Sequence, residues 1–168
     1  MMTRVVLAVL LLSVSTSAFA ATPASPTDDA EQKLILKASG EGLTAQMALL
    51  DNNPQKAQIH FNRSIGFYDQ AIELDPRNLR ARLDRGLMKD IMRKGAGTKD
   101  VEQAIDLANE LIIEYPDEPD LYYLRGSAYR HLKRYDRAEE DLSKAVYLNP
   151  GRESWQTDLK AVRAITGG

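Results

Sequence analysis

The stretch KGAGTKD, residues 94–100, combines glycines, a hydroxyl residue and a lysine, the residue types that cradle phosphate groups. A P-loop requires G-x-x-x-x-G-K-[ST], because consecutive backbone N–H groups wrap the phosphates and the lysine follows the second glycine directly. Here Gly95 and Gly97 are only two residues apart, and the dinucleotide pattern G-x-G-x-x-G fails at Asp100, whose carboxylate would repel phosphate. The stretch is therefore interpreted as a hinge between two helices rather than as a ligand site.

Asp100 then has a structural explanation. An aspartate before a helical segment is a favoured N-cap, and Gln103 three residues later would complete a capping box. We expect the hinge to be a linker, so that deletion of six residues within it leaves the fold intact.

Other residue types that could support catalysis or metal binding are scarce. The chain has no cysteine, which excludes disulfides, thiolate metal sites and cysteine nucleophiles. His60 and His131 are the only histidines, and neither has a metal-binding residue at the third or fourth position after it. Glu110 and Glu114 share a helix face, but two such carboxylates are typical of a solvated surface. We predict neither catalytic residues, metal site nor cofactor, and rank an enzyme as the least favoured function.

Residues 1–20, MMTRVVLAVLLLSVSTSAFA, have the layout of a secretory signal peptide, with a basic start, an apolar run and an A-x-A cleavage site. The apolar run 5–12 is much shorter than the roughly 20 residues that span a bilayer, although an uncleaved anchor is the alternative interpretation. We therefore predict an exported protein without a stable membrane anchor, periplasmic in a Gram-negative source and secreted otherwise.

The balance of 22 basic and 24 acidic residues does not favour nucleic acid as a partner.

From residue 30 onward the sequence is rich in strong helix formers, and prolines recur at intervals. Pro76, Pro116 and Pro150 are separated by similar intervals, the second shorter than the first by six residues, which indicates a repeat. The predicted helices are approximately 30–50, 54–74, 79–94, 100–114, 118–132, 135–148 and 153–165.

The clearest unit is DLYYLRGSAYRHLKRYDRAEEDLSKAVYLNP, residues 120–150. Gly126 and Ala138 are small where two antiparallel helices would cross, and Tyr122, Tyr129 and Leu142 would fill the space around that contact. This spacing resembles the tetratricopeptide repeat pattern, with Arg125 departing from its leucine position. The resemblance implies an all-α fold, a short right-handed α-solenoid of antiparallel helix pairs.

An interruption separates the two better repeats. The separation of Gly86 and Gly126 equals the longer interval, from Pro76 to Pro116. The separation of Ala104 and Ala138 equals the shorter interval, from Pro116 to Pro150. The six extra residues therefore fall between Gly86 and Ala104. The hinge 94–100 lies in this window. After Pro150, a helix with Trp155, Leu159 and Val162 on one face would cover the open end of the solenoid. The predicted organisation is a signal peptide at 1–20, a flexible lead-in at 21–29 and a TPR-like helical domain at 30–168, divided into a diverged unit 30–76, an interrupted repeat 77–116, a clear repeat 117–150 and a capping helix 151–166.

The resemblance also implies where a partner would bind. In this family the first helix of each repeat lines a concave groove that holds a peptide or a partner helix. The matching positions are Leu83, Leu87 and Asp90 in the interrupted repeat, and Tyr123, Ser127 and Arg130 in the clear one. Leu83 and Leu87 have an equally supported alternative as core residues, because an apolar helix stripe usually packs inward.

These features predict a scaffold or adaptor that binds another protein or peptide. The alternative is a chaperone-like carrier that holds unfolded clients or hydrophobic ligands. The sequence does not predict the oligomeric state.

Overall fold

The structure, a computed structural model, describes residues 26–167. The predicted signal peptide at 1–20 and most of the predicted lead-in lie outside these residues. The described part of the chain consists of seven helices without a strand, which confirms the predicted all-α fold. The helices are α1 Pro26–Leu50, α2 Pro54–Leu74, α3 Leu79–Met92, α4 Thr98–Glu114, α5 Pro119–His131, α6 Tyr135–Leu148 and α7 Glu153–Thr166.

Helix α1 begins at Pro26, so the last four residues of the predicted lead-in are helical instead. Gly40 and Gly42 do not divide α1, which continues through both. Met88 of α3 and Ser64 of α2 pack against Gly42, where a Cβ atom would lie only 2.9 Å from the Met88 Sδ.

Each helix packs against the next along the chain, as short connections between antiparallel helices require. Side chains also connect alternate helices: α3 to α5 through Asp90 and His131, and α5 to α7 through Tyr123 and Asp158. The odd-numbered helices therefore form one layer and the even-numbered helices the other. This is the predicted solenoid of helix pairs.

The close approach expected at Gly126 is present between α5 and α6. A Cβ built on Gly126 would lie 3.0 Å from Leu142 Cγ and 3.3 Å from the Ala138 carbonyl oxygen. Leu142 and Ala138 are fully buried beside it. The small residues predicted at this crossing therefore allow the two backbones to approach.

Gly97 makes a still closer contact in the preceding pair. A Cβ on Gly97 would overlap the carbonyl oxygen of Gly86 in α3, so only glycine fits there. Gly95, two residues earlier, has φ +84°, a left-handed conformation that glycine adopts without strain. The stretch is thus a turn that ends in a tight contact with α3.

The predicted N-cap at Asp100 is wrong. Helix α4 begins at Thr98 with Gly97 as its N-cap, so Asp100 lies inside the first turn. Its side chain is buried and accepts hydrogen bonds from Arg85 and Lys89 of α3. Because the helix starts two residues earlier than the sequence pattern indicated, Asp100 does not cap α4, and its carboxylate pairs with α3 instead.

The six extra residues are divided among three places. Helix α3 extends six residues beyond Gly86, whereas α5 extends five beyond Gly126. The connection from α3 to α4 has five residues, whereas the connection from α5 to α6 has three. Helix α4 starts six residues before Ala104, whereas α6 starts three before Ala138. One, two and three extra residues together account for the interruption, which lengthens the helices as well as the loop.

Candidate partner-binding site

The groove position predicted for Leu83 is wrong, because this side chain is 2% exposed and belongs to the core. It packs in the cluster that also contains Val101 of α4 and Leu121 of α5. Leu87, one turn later, is half-buried against the same cluster. The core alternative is therefore correct for Leu83, and Leu87 forms the boundary between core and surface.

Asp90, the third predicted position on α3, has two partners within the chain. Its Oδ1 accepts a hydrogen bond of 2.5 Å from the backbone N–H of Gly97, and its Oδ2 lies 2.6 Å from His131 Nε2. The first contact fixes the end of the 93–97 turn, and the second joins α3 to α5. Asp90 thus positions the elements that surround the predicted groove.

Tyr123, on α5, packs against the C-terminal helix. Its ring stacks on Trp155 with centroids 4.8 Å apart and an angle of 14° between the planes. Its hydroxyl donates a 2.8 Å hydrogen bond to Asp158 Oδ2. Burial raises the pKa of Tyr123 to about 12, and the neighbouring Asp158 carboxylate contributes in the same direction. The hydroxyl is therefore a donor throughout the neutral range.

Arg130 lies two turns further along α5 and reaches the same carboxylate. Its Nη1 donates a 2.7 Å hydrogen bond to Asp158 Oδ1, with 24% of the Arg130 side chain and 25% of the Asp158 side chain exposed. Ser127, between Tyr123 and Arg130, is half-buried. Arg130 and Asp158 form a solvent-accessible ion pair that a charged ligand could enter.

We call the surface formed by Leu87, Asp90, Tyr123, Ser127 and Arg130 the inner face. It lies on the odd-numbered layer. Five of the six predicted groove residues are partly exposed on this layer, and Leu83 is buried. What the sequence did not reveal is the contribution of α7, whose Asp158 binds two of these residues.

Helix α7 packs on the end of the solenoid, where a capping helix was expected. Trp155, Leu159 and Val162 are all buried there. Asp158 lies on the side of α7 that faces α5, while Arg163 donates to Glu139 of α6 over 3.0 Å. Helix α7 therefore closes the core and also completes the inner face.

Arg125, which departs from the expected pattern, and Arg85 have equivalent roles in successive repeats. Arg125 of α5 donates two 2.7 Å hydrogen bonds to the Asp141 carboxylate of α6 and a third, also of 2.7 Å, to Asn109 of α4. The guanidinium therefore connects α5 to both neighbouring even-numbered helices. A bidentate guanidinium–carboxylate contact is among the stronger polar interactions in proteins.

Arg85 of α3 repeats this arrangement. Its Nε and Nη2 donate to the Asp100 carboxylate of α4 over 2.9 and 2.8 Å, and its Nη1 donates to Asp69 of α2 over 2.7 Å. The sequence signal is an Arg-Gly pair that recurs in the next repeat, since Arg85 precedes Gly86 as Arg125 precedes Gly126. Asp69 and Asn109 recur at the same interval as the two arginines, which is a second signal.

A further buried carboxylate, Asp84, lies on α3 close to α2. Burial raises the pKa of Asp84, while the Arg80 guanidinium, whose Nε donates to it over 2.7 Å, opposes that shift. Burial also raises the pKa of Tyr68, which is fully buried and lies near Asp84. These groups are satisfied by one another, so their arrangement is that of a structural network.

Within 26–167, groups of three or more histidine, aspartate or glutamate side chains arranged to hold a metal ion are not found. In the same range, the helices are too short or too polar to cross a bilayer.

Comparison with known sequences identifies one segment. Residues 119–152 match the model of the tetratricopeptide repeat family. The predicted family resemblance is supported for this segment. It comprises α5, α6 and the connection to α7, and it contains the groove residues Tyr123, Ser127 and Arg130. The match falls where the sequence pattern was clearest. The search of curated proteins returned no significant match.

The comparison with solved structures returned several chains at low sequence identity. The first TPR of Spaghetti (RPAP3), bound to the HSP90 peptide SRMEEVD, has a TM-score of 0.46 and 17% identity over 80% of this chain and 96% of that one. The Arabidopsis OM64 TPR domain has a TM-score of 0.44 and 19% identity, covering 78% and 98%. MamA from Desulfovibrio magneticus RS-1 has a TM-score of 0.45 and 18% identity, covering 78% and 86%.

Proposed function

We propose that this chain is an exported scaffold or adaptor that binds another protein or peptide on its inner face. The observation that carries the proposal is the position of Arg130 and Ser127 on the first helix of the segment that matches the tetratricopeptide repeat, at a partly exposed surface. Arginine is enriched among the residues that dominate protein interfaces. A partner carboxylate could replace Asp158 as the acceptor of the Arg130 guanidinium.

The chemistry of the inner face favours a polar or charged partner segment over an apolar one. The leucine at position 83 is buried, whereas the polar residues Asp90, Ser127 and Arg130 are each partly exposed. Because Arg130 and Asp158 already form a pair, a ligand must compete with an existing contact. We expect moderate affinity with dependence on ionic strength, since exposed ion pairs are screened by salt.

The exported location rests on the composition of residues 1–20. The proposed partner is consequently a protein of the cell envelope or of the extracellular medium. Mass spectrometry of the chain recovered from the exported fraction should give the mass of a polypeptide that begins at Ala21.

Photo-crosslinking in intact cells tests the interaction. A photoreactive phenylalanine analogue replaces Ser127 on the inner face, and in a matched control it replaces Gln55, which is exposed on α2. We expect one defined adduct, identified by mass spectrometry, from position 127 and none from position 55. Equal adducts from both positions would reject the inner face, and a ladder of many clients from position 127 would favour the chaperone-like carrier.

A further inference from the structure

Helix α1 carries an apolar stripe that the described part of the chain leaves exposed. Leu36, Leu43, Met47 and Leu50 are each between 54% and 64% exposed. At 3.6 residues per turn, their side chains fall within an arc of about 60° around the helix axis. Several half-exposed residues in one line are unlike the isolated apolar residues that protein surfaces normally carry.

The stripe lies opposite the face with which α1 packs on the solenoid. Ala38, Ala45 and Ala48 are buried on that packing face. Helix α1 is thus apolar on two sides, whereas a surface helix is normally polar on its outer side. A helix with two apolar sides is expected to be covered on both, and the second cover must come from outside the described residues.

The order of residue sizes along the stripe makes it complementary to itself. If two copies of α1 lie antiparallel with Leu43 against Leu43, then Leu36 of one copy lies opposite Leu50 of the other. Gly40 then lies within one residue of Met47, the longest and most flexible side chain of the stripe. A Cβ built on Gly40 has nothing within 4 Å, so the space above Gly40 is open to receive that methionine.

The spacing has the form that helix pairs use. Leu36, Gly40, Leu43, Met47 and Leu50 alternate steps of four and three residues, the a/d pattern of a coiled-coil seam. The pattern spans about four turns, or roughly 21 Å of helix. Two such stripes together would bury eight large apolar side chains.

Charge favours the antiparallel orientation over the parallel one. Lys33 and Asp51 are exposed near opposite ends of the stripe. In the antiparallel pair Lys33 of one copy lies within two residues of Asp51 of the other, an offset of about 3 Å along the axis. In a parallel pair Lys33 would face Lys33. Like charges opposite each other at an interface suppress that pairing.

We propose that the chain forms a two-fold symmetric dimer through the α1 stripe, with Leu43 on the symmetry axis. The arrangement is isologous, so each copy uses the same surface and the assembly closes at two. The side chains of the inner face belong to α3 and α5, with Asp158 contributed by α7, so the stripe and the inner face share no residue.

Sedimentation velocity measures the association. The protein is residues 21–168, which contain all seven described helices, and the concentration is varied over several decades. We expect a monomer–dimer equilibrium that Leu43→Glu weakens by at least about 100-fold, because two carboxylates then meet on the axis. The matched control is Ile113→Glu on α4, which alters a residue that is 82% exposed and should leave the equilibrium unchanged.

Circular dichroism establishes that both variants fold, which is expected since the substituted side chains are exposed. A monomer at every concentration would overturn the proposal. A dimer that Leu43→Glu and Ile113→Glu weaken equally would overturn it as well.

Single cysteines test the orientation, because the chain contains none of its own. Oxidation of Leu43→Cys should cross-link two copies, and a mixture of Leu36→Cys with Leu50→Cys should give the mixed species. Leu36→Cys alone should stay uncross-linked. Efficient cross-linking of Leu36→Cys alone would show a parallel pair and contradict the antiparallel dimer.

Discussion

At the scale of single residues, the contact between Gly97 and Gly86 sets the distance between α3 and the start of α4. Gly97→Ala places a Cβ against a backbone oxygen, which cannot move aside as a flexible side chain would. We expect a loss of about 2 kcal/mol or more in the free energy of unfolding, measured by urea titration.

Gly66→Ala is the matched control for this substitution. Gly66 lies inside α2, and a Cβ built on it has nothing within 4 Å. Alanine there should stabilise the protein by roughly 0.5–1 kcal/mol, because it favours the helix. If Gly97→Ala were as well tolerated as Gly66→Ala, the close approach at Gly86 would be incorrect.

Asp100 should make stability depend on pH in the acid range. Burial raises the pKa of this carboxyl, but hydrogen bonds and charge from Arg85 and Lys89 outweigh that effect and lower it below its ordinary value of 3.8. A depressed pKa means that the stabilisation is complete above the ordinary value and is lost as the pH falls through the folded-state value.

The corresponding variant is Asp100→Asn. At pH 7 we expect it to be less stable than the wild type by about 3 kcal/mol, because Arg85 loses its bidentate partner in a buried position. The difference should stay constant down to about pH 5 and shrink below about pH 4. Asp106→Asn, exposed on the same helix, is the control. A difference that stays the same at pH 3 would contradict the pairing.

Sequence reasoning was least successful for the contacts of individual side chains. Arg125 looked like a departure from a leucine position, yet Arg125 and Arg85 each bind a carboxylate on the following helix. Leu83 matched a groove position, yet it is buried. Both outcomes depend on which atoms of neighbouring helices come within contact distance, and periodicity along one helix does not contain that information.

At the scale of elements, α7 is held to α5 by the stack of Tyr123 on Trp155. Trp155 is the only tryptophan, so its fluorescence reports whether this helix is docked. Tyr123→Ala removes the stacking ring and the hydroxyl, with an expected loss of about 3 kcal/mol and a red shift of the emission as water reaches the indole.

Tyr123→Phe separates the two contributions. It keeps the ring and removes only the hydrogen bond to Asp158, so we expect a loss of about 1 kcal/mol and an unshifted emission. Equal emission shifts in the two variants would mean that the hydroxyl, and not the stack, holds α7.

Helix positions were predictable because capping residues, prolines and small crossing residues act locally. The turn after α3 was harder. Its excess length was located correctly, but a deletion is not expected to be harmless, since Gly97 and Asp100 both bind α3. Of the six extra residues placed between Gly86 and Ala104, α3 and α4 contain four.

At the scale of the whole molecule, the contacts between successive helices differ from the surfaces proposed for binding. The arginines that bridge successive helices, together with the buried cores, hold the repeats in register. The inner face carries the side chains proposed for a partner, and the α1 stripe carries those proposed for a second copy. The family resemblance predicted the first surface, whereas the second became visible only when the exposed face of α1 was known.

Arg130 provides the most direct test of the inner face. Arg130→Ala removes one ion pair of α7, and Arg163→Ala removes another, on the side of α7 that faces α6. Both variants lose comparable contacts within the chain, but only Arg130 lies on the inner face. The measurement is calorimetric titration of each variant with the partner identified by photo-crosslinking. We expect about 10-fold weaker binding for Arg130→Ala and an unchanged affinity for Arg163→Ala. Equal affinities for both variants and the wild type would contradict the proposed function.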